Sequence, residues 1–213
     1  MSALKQYLAW LFYKLGFSAA SLTFIGLLLA ALSGLLVFQG HFILAAAALL
    51  SSGFLDLMDG AVARLSGTAS EFGGVLDSSL DRYGDAAILG GVLFYYSAQA
   101  HFLYATLAFS ALVGSFEISY VRARAECEMD SCRVGFWERG ERIVYLSIGL
   151  LAHNLPPVIA VLAIGTHWTA ARRLLLSKQT QNSRPSTEAV RVGMGYFLKV
   201  ACLVALALFV HLA

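Results

Sequence analysis

The chain has 213 residues, of which 59% are hydrophobic and only 13% are charged, with a formal net charge of +2 and a mean hydropathy of +0.72. A soluble domain carries about a quarter of charged residues, so this composition excludes an ordinary water-soluble protein and predicts an all-α integral membrane protein. The three cysteines, Cys127, Cys132 and Cys202, form no metal-binding pattern. Their odd number predicts reduced thiols that face the cytoplasm.

The N-terminal segment, residues 1–17, is predicted to be an interfacial amphipathic helix. Four leucines within residues 3–15 share one helical face, and the two lysines of this segment can reach water. An ordinary start to the first membrane span is the alternative. Gly16 and Ser18 interrupt the apolar pattern and favour the surface helix.

Seven apolar segments follow, separated by short turns or polar stretches. They cover residues 18–38, 42–64, 72–98, 102–121, 143–153, 158–176 and 193–212. The first six form a six-span helical core, which we predict to be the catalytic domain, residues 18–176. A polar cytoplasmic linker, residues 177–192, and an accessory C-terminal transmembrane helix, residues 193–213, complete the predicted organisation.

The distribution of charge predicts the orientation of the chain. All fifteen lysines and arginines fall on one side of the membrane if the ends of the spans alternate, and the three opposite turns contain none. Basic residues collect on the cytoplasmic side of membrane proteins. We therefore predict a multi-pass protein of the cell inner (plasma) membrane with a cytoplasmic N-terminus. The thirteen acidic residues also lie nearer the cytoplasmic half, so the polar chemistry is predicted at that face.

Four aspartates interrupt the second and third spans. Asp56 and Asp59 are three residues apart, and Asp77 and Asp81 are four apart, so each pair shares one helical face. The turn of residues 65–72 lets the two helices run antiparallel with their carboxylates facing each other. A carboxylate within a span costs about 2.5–3.5 kcal/mol, and hard divalent cations neutralise such oxygen clusters. The spacing predicts a metal-dependent active site, with arginine-paired acids as the structural alternative.

Small residues and one arginine accompany the aspartates. Gly60 and Ala63 continue the face of the first aspartate pair, so that a ligand can approach the backbone there. Arg64 follows at the helix end, where a guanidinium suits a phosphate. Gly73 lies one turn before Asp77 and again gives access. Magnesium is typically shared between carboxylates and substrate phosphates, and two ions can clamp a pyrophosphate during phosphoryl displacement.

This pattern, D-x2-D-G-x2-A-R-x8-G-x3-D-x3-D, resembles the signature of the CDP-alcohol phosphotransferase (CDP-alcohol phosphatidyltransferase) family. The sequence matches every fixed position of that signature, namely Asp56, Asp59, Gly60, Ala63, Arg64, Gly73, Asp77 and Asp81. The likeness covers about residues 16–176, because members have a six-span core. The resemblance implies transfer of a phosphatidyl group from CDP-diacylglycerol, or from a CDP-ether lipid, to an alcohol with release of CMP. It also implies a homodimer.

The resemblance further implies roles for individual residues. The first three aspartates would hold two Mg²⁺ or Mn²⁺ ions, and Asp81 would be the general base that also touches a metal. The residues implied to contact the CDP part of the donor are Thr23, Gly60, Ala63, Arg64, Ser70 and Gly73. One departure concerns a Gly-x-x-Pro-Asn-x-x-Thr stretch of many members, in which Ala19 and Ala20 here replace Pro and Asn. That change weakens the expectation of side-chain contacts to the nucleotide at these positions.

The acceptor is predicted from a basic stretch later in the chain. Five arginines fall within residues 122–142, more than a positive-inside loop requires, and converging arginines favour a phosphorylated acceptor. The stretch resembles those of phosphatidylinositol-phosphate and archaetidylinositol-phosphate synthases, which implies inositol 1-phosphate as the acceptor. The implied acceptor-binding residues are Ser119, Arg122, Arg124 and Arg142. Glycerol 3-phosphate is the alternative acceptor.

Two other function classes remain open from the sequence. A divalent cation transporter would also place acids in a membrane, but here they gather at one face and are accompanied by small residues with no role in conduction. A catalytically dead lipid-binding homologue is opposed by the complete set of aspartates. The tryptophans, Trp10, Trp137 and Trp168, are predicted to be interfacial anchors.

Overall fold

The computed structural model describes residues 3–127, 129, 131–132 and 134–182, and within them the chain is helical without a β-strand. This confirms the predicted all-α class. The helices of the described residues are α1 (Ala3–Lys14), α2 (Ala19–Phe38), α3 (Phe42–Leu65), α4 (Glu71–Ala98), α5 (Phe102–Ala125), α6 (Arg139–Leu151) and α7 (Leu155–Asn182).

The helix lengths bear on the predicted number of spans. In the described part of the chain, α2, α3 and α5 are long and apolar enough to cross a membrane. Helix α6 has 13 residues, about 20 Å at 1.5 Å per residue, which is shorter than the hydrocarbon layer. The six-span count therefore stays a prediction. Helix α7 continues to Asn182, so the predicted linker, residues 177–192, begins inside a helix. The predicted C-terminal span, residues 193–213, lies outside the described residues.

Local sequence signals explain where the helices around the aspartates begin. Ser18 precedes α2, and its hydroxyl accepts a hydrogen bond from the Ser21 N–H at 3.1 Å. Ser70 precedes α4, and its hydroxyl accepts from the Gly73 N–H at 3.0 Å. Such caps satisfy otherwise orphaned amides. The turn between α3 and α4 passes through Gly67 with φ of +69°, a conformation that favours glycine.

Close packing of α2 against α4 fixes the second aspartate pair relative to the first. A Cβ on Gly34 would lie 2.1 Å from the carbonyl oxygen of Ala87, and one on Gly91 would lie 2.2 Å from the carbonyl oxygen of Gly34. These positions admit glycine alone without a shift of the backbone. Helix α2 also packs along α3, where the Ser52 hydroxyl donates to the Gly26 carbonyl at 2.7 Å. Helix α2 is therefore the common support of both aspartate helices.

Helix α1 packs on the aspartate end of the bundle. Ala9 is buried with Leu22 of α2 and Met58 of α3 in a small apolar cluster. The leucines of the predicted apolar face remain open to the surroundings, with Leu4 68% and Leu15 65% exposed. The helix is thus present where it was predicted, and its position at the membrane interface stays a prediction.

The expected role of Trp137 is wrong. Its side chain is only 1% exposed and belongs to the main apolar core. It packs onto α7 at Gly165, where a Cβ would lie 2.0 Å from the indole Nε1. The loop that precedes α6 is therefore folded into the bundle. Trp10 and Trp168 are exposed by 42% and 51%, and their interfacial location remains a prediction.

Candidate active site

Three of the predicted aspartates meet between α3 and α4. Each of Asp56, Asp59 and Asp77 offers one carboxylate oxygen, and these oxygens all lie within 4.8 Å of one another. Asp59 is 5% exposed, and Oδ1 of Asp77 is buried without a hydrogen-bond partner. Buried polar atoms are normally partnered, and a set made only of oxygens is the kind that hard divalent cations select. The residues therefore fit a divalent metal ion.

Thr23 on α2 lies beside this trio. Its Oγ1 is 2.8 Å from Oδ2 of Asp59 and 3.0 Å from the carbonyl oxygen of Ala19. The single hydroxyl proton can serve one of these oxygens at a time. The sequence predicted Thr23 as a contact of the CDP part of the donor, and that contact stays a prediction. Its observed partner is one of the carboxylates predicted to hold metal.

The other predicted donor contacts gather where α3 ends and α4 begins. The Arg64 guanidinium folds back over its own helix, so that a Cβ on Gly60 would lie 3.4 Å from Nη1. Ala63 is half-buried. Ser70 and Gly73 form the cap of α4 through their 3.0 Å hydrogen bond, which gives both residues a structural role in addition to the predicted one. Contact of these residues with a nucleotide remains a prediction.

Asp81 is not a member of the trio, and it shares an arginine with Asp56. Arg139 Nη1 lies 2.8 Å from Asp81 Oδ1 and 2.6 Å from Asp56 Oδ1. The sequence interpretation did not include Arg139 among the site residues. A signal was present, since Arg139 and Arg142 are three residues apart and share a face once α6 begins at Arg139.

A cavity of about 350 Å³ opens next to Asp81, between α4, α5, α6 and α7. Its lining is formed by Ser78, Asp81, Arg82, Asp85, Ile118, Ser119, Arg122, Glu138, Arg139, Gly140, Glu141, Arg142 and Arg173. Three of the four predicted acceptor residues, Ser119, Arg122 and Arg142, are therefore in one cavity. Arg124 lies in the last turn of α5 and does not line it.

The arginines of this cavity differ in how they are held. Arg122 pairs with Glu126 at 3.1 Å and with Glu138 at 4.0 Å, and about a third of its side chain is exposed. Arg142 is 5% exposed, donates from Nη1 to the Trp137 carbonyl at 3.0 Å and pairs through Nη2 with Asp85 at 2.5 Å. Arg142 was expected to reach into a cavity, and it does line this one, although two of its five N–H donors already bond to the protein. Its role at an acceptor stays a prediction.

Arg173 on α7 is a second arginine that the sequence interpretation missed. Its side chain is 1% exposed. Nε donates to the Val134 carbonyl at 2.9 Å, Nη1 to the Ile118 carbonyl at 2.8 Å, and Nη2 lies 3.4 Å from Glu138. Arg173 thus ties α5 and the segment before α6 to α7. No local sequence signal distinguishes it from Arg172, because its partners are far away along the chain.

A sequence profile described as CDP-alcohol phosphatidyltransferase matches residues 17–171. The chain belongs to the CDP-alcohol phosphatidyltransferase family. This confirms the resemblance inferred from the aspartate signature, and it makes the protein a phosphatidyl-transferring enzyme of membranes. The matched range ends within α7, so it includes the elements that carry the trio, Asp81 and most of the arginine cavity.

Curated relatives and solved structures agree with the assignment. The chain is 36% identical over 167 residues to archaetidylinositol phosphate synthase of Pyrococcus horikoshii, covering 78% of this chain and 86% of that one. It is 33% identical over 163 residues to phosphatidylinositol phosphate synthase of Corynebacterium glutamicum, covering 73% and 74%.

The fold matches crystal structures of phosphatidylinositol phosphate synthase from Mycobacterium tuberculosis. The structure with CDP-DAG bound gives a TM-score of 0.74 at 27% identity and covers 83% of this chain and 94% of that one. The structure in complex with manganese and citrate gives a TM-score of 0.73 at 27% identity and covers 82% and 88%.

Proposed function

We propose that this enzyme transfers the phosphatidyl group of CDP-diacylglycerol, or of a CDP-ether lipid, to inositol 1-phosphate with release of CMP. The single observation that carries the choice of acceptor is the arginine-lined cavity of about 350 Å³ beside Asp81. Its size fits a small polar molecule, and its arginines favour one that carries a phosphate. The relatives named as inositol phosphate synthases support the same acceptor.

Arg122 is one arginine of this cavity that can bind a new anion. Its two glutamate partners, Glu126 and Glu138, are 33% and 48% exposed, so both can exchange the guanidinium for water at little cost. Arg142 and Arg173, whose side chains are buried, contribute positive charge to the wall of the cavity. Ser119 lies on the α5 side and can donate a hydrogen bond to a polyol hydroxyl.

Asp81 is the general base of the proposed reaction. The acceptor hydroxyl lies in the cavity that Asp81 lines, and its proton passes to the Asp81 carboxylate as the oxygen attacks the lipid-side phosphorus. The bond from that phosphorus to the CMP oxygen breaks, and CMP leaves with the electron pair. Arg64, at the end of α3, would bind a phosphate of the departing nucleotide.

Divalent metal ions complete the proposed site. Two Mg²⁺ or Mn²⁺ ions held by Asp56, Asp59 and Asp77 would neutralise the pyrophosphate and the charge that develops as CMP departs. The partnerless Oδ1 of Asp77 and the all-oxygen trio support this assignment. Asp81, which the sequence interpretation also assigned to metal, lies outside the trio and contacts Arg139.

The proposed function is tested with purified protein in lipid micelles containing CDP-diacylglycerol and either Mg²⁺ or Mn²⁺. Inositol 1-phosphate, glycerol 3-phosphate, inositol and serine are offered in parallel, and CMP release is measured. A second donor series uses the CDP-linked ether lipid. We expect release with inositol 1-phosphate that stops when the metal is chelated.

Any other result would contradict part of the proposal. Release with glycerol 3-phosphate alone would make the enzyme a phosphatidylglycerophosphate synthase. Release with inositol or serine would show that the arginine cavity does not select a phosphate. Metal flux into proteoliposomes without CMP release would favour a divalent cation transporter.

The cytoplasmic face and the homodimer remain predictions with their own tests. The exposed Cys127 follows α5, on the side of the basic residues. In a variant that keeps Cys127 as its single cysteine, an impermeant maleimide should label broken cells and spare intact ones. A single cysteine placed at Gln99 should be labelled in intact cells as well as in broken ones. A dimer should be captured by crosslinking in native membranes, and a monomeric mass at all protein concentrations would refute it.

A further inference from the structure

Three acids of α4 lie one helical turn apart, and two of them pair with arginines. Asp77, Asp81 and Asp85 follow one another at intervals of four residues on one face. Asp85 pairs with Arg142 at 2.5 Å, and Asp81 pairs with Arg139 at 2.8 Å. Oδ1 of Asp77 has no hydrogen-bond partner and belongs to the trio that fits a divalent cation. Two of the three acids are therefore paired with arginines, and Asp77 remains available to a divalent cation.

A single nitrogen of Arg139 joins the two aspartate helices. Nη1 lies 2.6 Å from Oδ1 of Asp56 on α3 and 2.8 Å from Oδ1 of Asp81 on α4. Nε lies 4.0 Å from Oδ1 of Asp85. The side chain is 17% exposed, so water screens these ion pairs only in part. Arg139 is thus positioned to hold Asp81 at a fixed distance from Asp56.

The location of Arg139 in its helix is unfavourable without these acids. Arg139 is the first residue of α6, and Arg142 follows within the first turn. Cations destabilise a helix N-terminus because it carries positive partial charge. The buried Arg142, anchored to Asp85 and to the Trp137 carbonyl, fixes the start of α6 against α4. The packing of α6 against α4 therefore keeps Arg139 next to Asp56 and Asp81.

We propose that Arg139 is a positioning residue for Asp81, an inference that rests on the proposed function. The guanidinium holds Oδ1 of Asp81, which prevents the carboxylate from turning into the neighbouring trio as an additional metal ligand. A carboxylate has a second oxygen, which accepts the proton of the acceptor hydroxyl. Arg139 also shields Asp56 and Asp81 from each other. Loss of Arg139 therefore acts on the turnover step, because the base is misplaced, whereas the metal keeps all of its ligands and can gain Asp81 as one more.

The test compares Arg139→Ala, Arg139→Lys and the control Lys178→Gln, which removes a positive charge at an exposed position of α7. CMP release gives kcat and the acceptor KM, Mn²⁺ titration gives the metal Kd, and thermal unfolding reports folding. We expect Arg139→Ala to lower kcat about 100-fold, as for other misplaced catalytic groups. The acceptor KM should change by less than about threefold, and Mn²⁺ should bind at least as tightly as it does to the wild type.

Two further measurements separate positioning from a structural role. Guanidinium ion at millimolar concentration should restore part of the kcat of Arg139→Ala, whereas ammonium should not. Arg139→Lys keeps the charge but lacks the planar fork, so it should fold, bind Mn²⁺ and remain about 10-fold slow. It also provides the decisive comparison if Arg139→Ala does not fold.

The inference is overturned if Arg139→Lys has normal kcat, if guanidinium gives no rescue of a folded Arg139→Ala, or if Mn²⁺ binding is lost together with turnover. A rise in acceptor KM at normal kcat would instead make Arg139 an acceptor ligand. Failure of the proposed function has a different signature, since the wild-type protein would then release no CMP with any of the acceptors.

Discussion

Thr23 Oγ1 lies 2.8 Å from Oδ2 of Asp59 and thereby ties α2 to the aspartate trio. A hydroxyl that supports a metal-binding carboxylate influences affinity for the metal without touching it, and loss of such support typically weakens binding by about 10- to 100-fold. We expect Thr23→Val to weaken Mn²⁺ binding by about tenfold and Thr23→Ser to preserve it.

Thr106→Val is the matched control for this prediction. The Thr106 hydroxyl donates to the Phe102 carbonyl of its own helix at 2.8 Å, so the same change removes a hydroxyl away from the site. Unaltered Mn²⁺ binding in Thr23→Val would show that the Thr23 hydroxyl donates its hydrogen bond to the Ala19 carbonyl and not to Asp59.

Asp77→Asn should separate metal binding from folding. Oδ1 of Asp77 is buried without a hydrogen-bond partner, so the metal-free protein carries a poorly compensated charge. Neutralising it should leave the thermal midpoint of the metal-free protein equal or higher, while Mn²⁺ binding falls at least about tenfold. A lower midpoint together with unchanged Mn²⁺ binding would contradict a metal role for Asp77.

Asp81→Asn should abolish CMP release and leave binding of the CDP-lipid largely intact. The amide cannot accept the proton of the acceptor hydroxyl, and Asp81 is outside the trio predicted to face the pyrophosphate. The measurements are single-turnover CMP release and equilibrium binding of the donor. Turnover near that of the wild type would remove Asp81 as the base.

Arg142→Ala should lower stability and not only raise the acceptor KM. Its side chain is 5% exposed and paired with Asp85 at 2.5 Å, and removal of one member of a buried pair costs about 3–5 kcal/mol. The double variant Asp85→Leu with Arg142→Met should recover much of this loss, which denaturation in detergent would measure. A stable Arg142→Ala with a raised acceptor KM would instead support direct acceptor contact.

The two cysteines near α5 should differ in reactivity. Cys127 is exposed and Cys132 is buried, and burial raises the pKa of the Cys132 thiol above its usual value. A raised pKa means less thiolate at any given pH, so maleimide at mildly alkaline pH should label Cys127 rapidly and Cys132 slowly. Mass spectrometry of the two peptides measures this. Equal rates would show that the segment around Cys132 opens readily.

Much of the site could be predicted from the sequence, because the aspartates of each pair are close together along the chain. The spacing of Asp56 and Asp59, and of Asp77 and Asp81, fixes which carboxylates share a helical face, and the short turn with Gly67 makes the two faces meet. The family assignment followed from the same spacing. The helix bounds near these residues were also well predicted, since apolar runs end at Gly and Ser signals.

What the sequence determined by itself is therefore the helical membrane class, the aspartate signature and the reaction family. Only the tertiary structure decided which arginine pairs with which aspartate. Arg142 was predicted to bind the acceptor and Arg139 was given no role, yet the docking of α6 pairs Arg139 with Asp81 and Arg142 with Asp85. Partners more than fifty residues apart are brought together by helix packing, whose geometry depends on close contacts such as Gly34 with Ala87. Helical periodicity reports only neighbours within a few turns, so the pairing of Asp81 and Asp85 with arginines could be seen only in the folded bundle.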